Sequence, residues 1–207
     1  MKSQKRHEDV GYTVGVHPCE DVDTMARATT EYLTELAQSE KVWALGETGL
    51  DYYHSTDFIN EQKDCFARHI QASKNVKKPV VVHTVQQNMI RWILFELNNL
   101  HMVFCTVLLR TGNSKSCIGL RLLYFLSGIV SFKNAQDLRD VAKQVLLDRL
   151  LIETDSPYLA PVPYRGKTNE PKYVPYVAKA LSEVYDKPVE EIARITSQNF
   201  ENLLKAI

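Results

Sequence analysis

Four polar side chains stand where apolar runs stop. Glu47 follows Val42-Trp43-Ala44-Leu45 and lies between Gly46 and Gly49. His83 closes the run PVVVH, His17 sits in GVHP, and Asp155 lies in LLIETDSP with Glu153 two residues before it. Carboxylate and imidazole together are the donor set of a hard-to-borderline divalent ion. Each residue also has a plainer reading. Glu47 alone is as readily a solvated loop glutamate, and His83 and His17 read as hydrogen-bonded core histidines. If Glu153 and Asp155 are both extended they share a sheet face; otherwise one or both cap a turn that Pro157 fixes. Arg165 and Lys167 follow closely and suit an anionic substrate, or form a solvated basic loop.

The elements that must position these residues alternate. Strands are predicted at Tyr12 to Val16, Val42 to Leu45, Pro79 to Val82 and Leu150 to Ile152. Helical periodicity is predicted over Thr24 to Gln38, where Met25, Ala28, Tyr32, Leu33 and Leu36 keep a 3.6-residue period. It recurs over Glu61 to Asn75, Asn134 to Gln144, Val174 to Val184 and Pro188 to Leu204, the last with Pro188 suited to a first turn. Strands apolar on both faces and separated by helices indicate a parallel sheet covered by helices. In such α/β folds the carboxyl ends of the strands are where sites assemble.

Composition excludes several classes. Lys plus Arg equals Asp plus Glu at 25 each, so bulk positive charge does not hold nucleic acid, and a nucleic-acid substrate needs a local site. Cys19, Cys65, Cys105 and Cys117 form no CxxC and no metal-ligand spacing, which predicts reduced thiols and a cytoplasmic location. No thiol sits at a strand end beside a histidine, so a cysteine nucleophile is disfavoured. The basic start MKSQKRHEDV has no apolar run behind it and does not read as a signal peptide. No apolar run reaches spanning length, so no membrane association is expected.

GVHP (15–18), ALGETGLDYY (44–53), PVVVHT (79–84), SGIVSFKNAQDLRDVA (127–142) and DRLLIETDSPYLAPVPYRGKTNEP (148–171) closely resemble the TatD family of metal-dependent deoxyribonucleases. The resemblance implies an α/β, TIM-barrel-like metallohydrolase fold. It implies hydrolysis of DNA phosphodiesters, often from a 3′ end, with Mg²⁺ or with Mn²⁺ or Zn²⁺, and no obligate protein partner. Residue by residue, it implies metal ligation by Glu47, His83 and Asp155, with Asp155 and Glu47 as catalytic groups. His17 falls near the substrate phosphate, and Arg165 and Lys167 fall where flanking phosphates would bind.

The chain also departs from that pattern. It contains no HxH pair and begins near the family's second or third strand, which predicts an incomplete barrel lacking its first strand or strands, within one truncated domain spanning 1–207. A full barrel is typically about 250 residues. The family's HCF motif has its nearest echo in Val103-Phe104-Cys105, and Leu146 stands where proline is usual. The loss of three ligand histidines predicts little or no nuclease turnover, and the loss of the first strands predicts open, aggregation-prone sheet edges. Two other readings follow: a non-catalytic remnant, or a barrel metallohydrolase acting on a non-nucleic ester or amide.

The run from Val85 to about Leu126 has few acids and no clear period. Back-translated with free synonymous codons and read from the third base of Val85, it gives a peptide containing HGVLHCFTEDWE; from the second base of Ser114 it gives AKAALDLGFYIS. Both resemble the family's missing middle. A single base lost at Thr84/Val85, another near Asn113 and a third near Leu126 would produce this chain. That reading predicts exposed apolar residues across the segment.

Overall fold

The computed structural model describes residues 10–54, 56–84, 103–107 and 122–205. Two compact units divide the chain, residues 1–105 and 106–206, and each is described by itself.

In the first unit, strands β1 (Tyr12–Val14), β2 (Val42–Leu50) and β3 (Val80–Thr84) run parallel, with β2 in the middle. Helices α1 (Val22–Arg27) and α2 (Thr30–Leu36) connect β1 to β2, and α3 (Ile59–Val76) connects β2 to β3. The single helix predicted over Thr24 to Gln38 is two helices, because two caps compete within it. Asp21 accepts the Thr24 N–H at 2.8 Å to start α1, and Thr29 accepts the Tyr32 N–H at 3.2 Å to start α2. Arg68 on α3 donates to the Met25 and Ala28 carbonyls and satisfies the end of α1. Lys77 ends α3 in the left-handed conformation, with its N–H on the Ser73 carbonyl. Met25, Leu33, Val42, Leu45, Cys65 and Ala72 form one buried cluster between these helices and the sheet.

In the second unit, β5 (Leu122–Leu126) and β6 (Leu150–Ile152) run parallel, with Tyr124 opposite Leu150 and Leu126 opposite Ile152. Strand β4 (Val103–Val107) precedes them in the chain. Helix α4 (Gln136–Ala142) lies between β5 and β6 in sequence, and α5 (Val174–Tyr185) and α6 (Val189–Leu204) follow β6. Pro188 stands one residue before α6, at its cap, rather than in its first turn. Val177, Leu181 and Ile192 are fully buried. Asn199 on α6 donates to the carbonyls of Leu147 and Leu150 at 2.7 and 2.8 Å, fixing the entry to β6.

Most of the segment expected to be out of frame (85–102 and 108–121) lies outside the described residues. At its end the expectation of exposed apolar residues fails. Leu122, Tyr124 and Leu126 alternate inward along β5 and are buried, as period-two burial of a strand requires. No helix among the described residues is long and apolar enough to cross a membrane.

Candidate metal centre

Glu47 lies inside β2, not in a loop beyond it as the sequence predicts. The strand continues to Leu50 through a bulge, where Leu45 pairs with Val80 and Thr48 with Val82, leaving one extra residue on β2. Gly46 and Gly49, at φ 136° and 145°, make that course possible. A Cβ at either position would collide with the carbonyl oxygen of Val81 or of His83 on β3. The bulge turns Glu47 toward His83.

His83 is clamped between two carboxylates. Its Nδ1 lies 2.9 Å from Glu47 Oε1 and its Nε2 lies 3.1 Å from Asp51 Oδ2. Carboxylates only accept, so without an ion the ring carries both protons. Burial opposes charge on His83, but Glu47 and Asp51 outweigh it and hold the ring's pKa above its ordinary value. Burial likewise pushes Glu47 and Asp51 up. The histidines more than offset this at Glu47, and bonds from His54, the backbone, His83 and Cys19 do so at Asp51, so both acids sit below the usual carboxylate range.

His17 packs edge-on against His83, with ring centroids 4.3 Å apart. One donor atom from each of His17, Glu47 and His83 lies within 4.8 Å of the others. The His17 Nδ1 accepts the Cys19 N–H at 3.2 Å. Burial and the nearby charge of His83 lower its pKa, and in the neutral ring the proton is therefore on Nε2.

Helix α3 sets the positions of these groups from behind. The buried Gln62 side chain accepts the Asp51 N–H at 2.9 Å and donates to the Asp51 carbonyl at 3.3 Å. The His69 Nε2 accepts the Val16 N–H at 3.0 Å, and its Nδ1 donates to the Cys65 carbonyl at 2.7 Å. His69 thus fixes the residue before His17. Its own pKa falls to about 4, chiefly through burial.

A divalent ion fits this donor set. An ion replacing the His83 Nδ1 proton would leave Nε2–H on Asp51, the carboxylate–histidine–metal relay found behind metal ligands. A family model described as TatD related DNase matches residues 1–205. The chain belongs to this family. Relatives in the TatD family include proteins named as uncharacterized metal-dependent hydrolases: YcfH of Escherichia coli K12, 40% identical over 95% of this chain and 74% of the relative, and YabD of Bacillus subtilis, 34% identical over 99% and 81%. Among solved structures, the TatD homologue YJJV of Escherichia coli superposes with TM-score 0.82 at 21% identity, covering 98% of this chain and 79% of that one. A TatD family hydrolase of Entamoeba histolytica gives 0.79 at 19% identity, over 98% and 77%. The fold is therefore the TIM-barrel-like one of TatD hydrolases, and the chain is a metal-dependent hydrolase of that family.

The ETDSP stretch lies in the second unit, just beyond β6. Glu153 and Asp155 do not share an extended face there. β6 stops at Ile152, and Asp155 is left-handed at φ 60°, with its carbonyl accepting the Tyr158 N–H at 2.8 Å. Buried Asn169 clamps this turn. Its Nδ2 donates to the carbonyls of Thr154 and Tyr158 at 2.5 and 2.6 Å, and its N–H bonds the Pro157 carbonyl at 2.9 Å. Arg165 and Lys167 are exposed on the same unit. The Arg165 guanidinium stacks 3.6 Å above the Phe132 ring, and Lys167 lies 5.8 Å from the Tyr164 ring centre.

Thus Glu47, His83 and His17 are brought together, while Asp155, Arg165 and Lys167 belong to the second unit. Asp51, Gln62, His69 and Asn169 are not singled out by sequence reasoning. Asp51 has a readable signal: it follows Glu47 by four residues, directly beyond the apolar end of β2.

Proposed function

We propose that this site hydrolyses phosphodiester bonds in DNA with Mg²⁺ as its cofactor. The observation that carries the reading is His83 held between Glu47 and Asp51, inside the motifs that define the family. Glu47 and His83 would hold divalent metal, and the resemblance to the family assigns Asp155 the same role. A bound divalent ion neutralises phosphoryl charge and makes water a stronger nucleophile near neutral pH. Asp51 keeps the His83 ring oriented through Nε2–H. His17 offers its Nε2–H to a phosphoryl oxygen and binds substrate rather than metal. Asp155, exposed on its clamped turn, accepts the proton of the attacking water. Arg165, braced on Phe132, and Lys167 take flanking phosphates.

The test is release of nucleotides from a 3′-labelled oligonucleotide with Mg²⁺, for the wild type and Glu47→Ala. Divalent-dependent release, abolished by the substitution, supports the reading. Release that survives chelation or Glu47→Ala removes it. Faster hydrolysis of small esters or amides than of DNA transfers the site to another substrate class.

A further inference from the structure

A second group of donors lies beside the first; it shares Asp51 with the proposed reaction, which uses neither Cys19 nor His54. The Cys19 thiol points to Asp51 Oδ2 at 3.3 Å, and the His54 Nδ1 lies 2.7 Å from the same oxygen. One donor atom from each of Cys19, Asp51 and His54 lies within 4.8 Å of the others. The sequence shows no ligand spacing around Cys19; the fold supplies it, because the turn after His17 and the turn after β2 meet at Asp51. We propose that Cys19, Asp51 and His54 form a separate site for a thiophilic divalent cation of the zinc type.

Three features support the site. First, the Cys19 S–H and the His54 Nδ1–H converge on Asp51 Oδ2, the oxygen that also accepts from His83 Nε2. A cation that displaces the Cys19 and His54 hydrogens to solvent keeps the sulfur, the imidazole nitrogen and a carboxylate oxygen as ligands. Bond lengths of about 2.0–2.3 Å to zinc place neighbouring donors about 3.3–3.7 Å apart in a tetrahedron, so only a small closing movement is needed. Second, the carboxylate is fixed before any ion arrives. Asp51 is buried, and its Oδ1 accepts the backbone N–H groups of Tyr53 and His54, each at 3.0 Å. Third, Cys19 is exposed and the His54 side chain is 60% exposed, which leaves an entry path and an open fourth position for water. Thiolate and imidazole select zinc-like ions over magnesium, so the two neighbouring sites would take different ions. Asp51 touches both.

The test uses Co²⁺ as a spectroscopic stand-in for zinc on the reduced full-length chain. The expected result is a thiolate-to-cobalt charge-transfer band that zinc displaces and excess Mg²⁺ does not. Cys19→Ser and His54→Ala should each abolish the band and weaken zinc binding more than about 100-fold, since even outer-shell changes cost about 10–100-fold. Cys65→Ser and Glu47→Ala should leave it intact. The Glu47→Ala control separates this site from the proposed hydrolytic one: a band that persists while DNA cleavage is lost supports two sites. No band in the wild type, or a band that survives Cys19→Ser or is lost in Cys65→Ser, overturns the proposal.

Discussion

Asp51 and Asp155 each stand just past a parallel strand, yet Asp51 is buried and Asp155 is exposed. Around Asp51 side chains hold side chains. His83, His54 and Cys19 reach one carboxylate oxygen, and Gln62 fixes the backbone beneath it. At Asp155 the backbone is what is held, because Asn169 grips carbonyls on either side of the residue. The first arrangement fixes charge and ring orientation before anything binds, which suits residues that must hold an ion. The second fixes the backbone on either side of an exposed residue, so it sets where the side chain starts rather than which groups surround it.

The largest expected effect breaks the first arrangement at its centre. Glu47→Ala should lower Mg²⁺-dependent cleavage of DNA at least about 1,000-fold, equivalent to roughly 4 kcal/mol. Comparing initial rates at saturating Mg²⁺ measures it, and a change under about tenfold would take Glu47 out of the reaction.

Next in size is a pH effect from His69. Its ring stays neutral in the folded chain down to about pH 4, against an ordinary value of 6.5. Between these values the unfolded chain binds more protons than the folded one. Stability is therefore complete above about pH 6.5 and declines as pH falls toward 4, by roughly 3 kcal/mol in all. Urea titrations of wild type and His69→Gln across that window should show a flatter pH slope in the variant. Parallel slopes would show that His69 does not govern acid stability.

Asp51→Asn sharpens the comparison, because it keeps the shape of the clamp and removes its charge. Affinity at the Glu47–His83 site should drop about 10–100-fold, as read by Mn²⁺ titration; unchanged affinity would make Asp51 irrelevant to the centre. In the second unit, Asn169→Ala should cost about 1–2 kcal/mol of stability, since it removes the donor shared by the partly buried carbonyls of Thr154 and Tyr158. Its cleavage defect should exceed what unfolding explains, and a loss of stability with normal cleavage by the remaining folded protein would separate Asn169 from Asp155. The smallest effect belongs to the exposed cations. Arg165→Ala or Lys167→Ala should weaken single-stranded DNA binding a few-fold and make the salt slope shallower by about 0.7 for each phosphate no longer neutralised; an unchanged slope would free them of that role.

The parts of the site legible in sequence are those with local signals. Glu47 and His83 announce themselves because a charged or imidazole residue ends an apolar run, and β6 is bounded by its own apolar triplet. The extension of β2 is hidden because a bulge between two glycines looks like a loop until β3 is beside it. The break between α1 and α2 is hidden because helical period outweighs Thr29, whose capping role depends on local backbone. The supporting polar residues are hardest to see. Gln62 and His69 lie on a largely apolar helix face, and His69 meets its partner Val16 across 53 residues of sequence. Nothing local distinguishes such a histidine from one that merely interrupts a core.

Gln62 and His69 are seven residues apart on α3, two turns of helix, so they sit on one face about 10 Å from each other. Gln62 holds the backbone of Asp51 and His69 that of Val16, so the span of the site is set by this helical ruler. The chain's tolerance of change is consequently uneven. Solvent-facing positions such as Asp64 and Ala67 can be recoded freely, but one residue inserted between the two anchors would swing His69 by about 100° and leave the Val16 N–H without its acceptor. Over this stretch sequence is free to drift and length is not, so indels in α3 should be far rarer than substitutions among functional relatives.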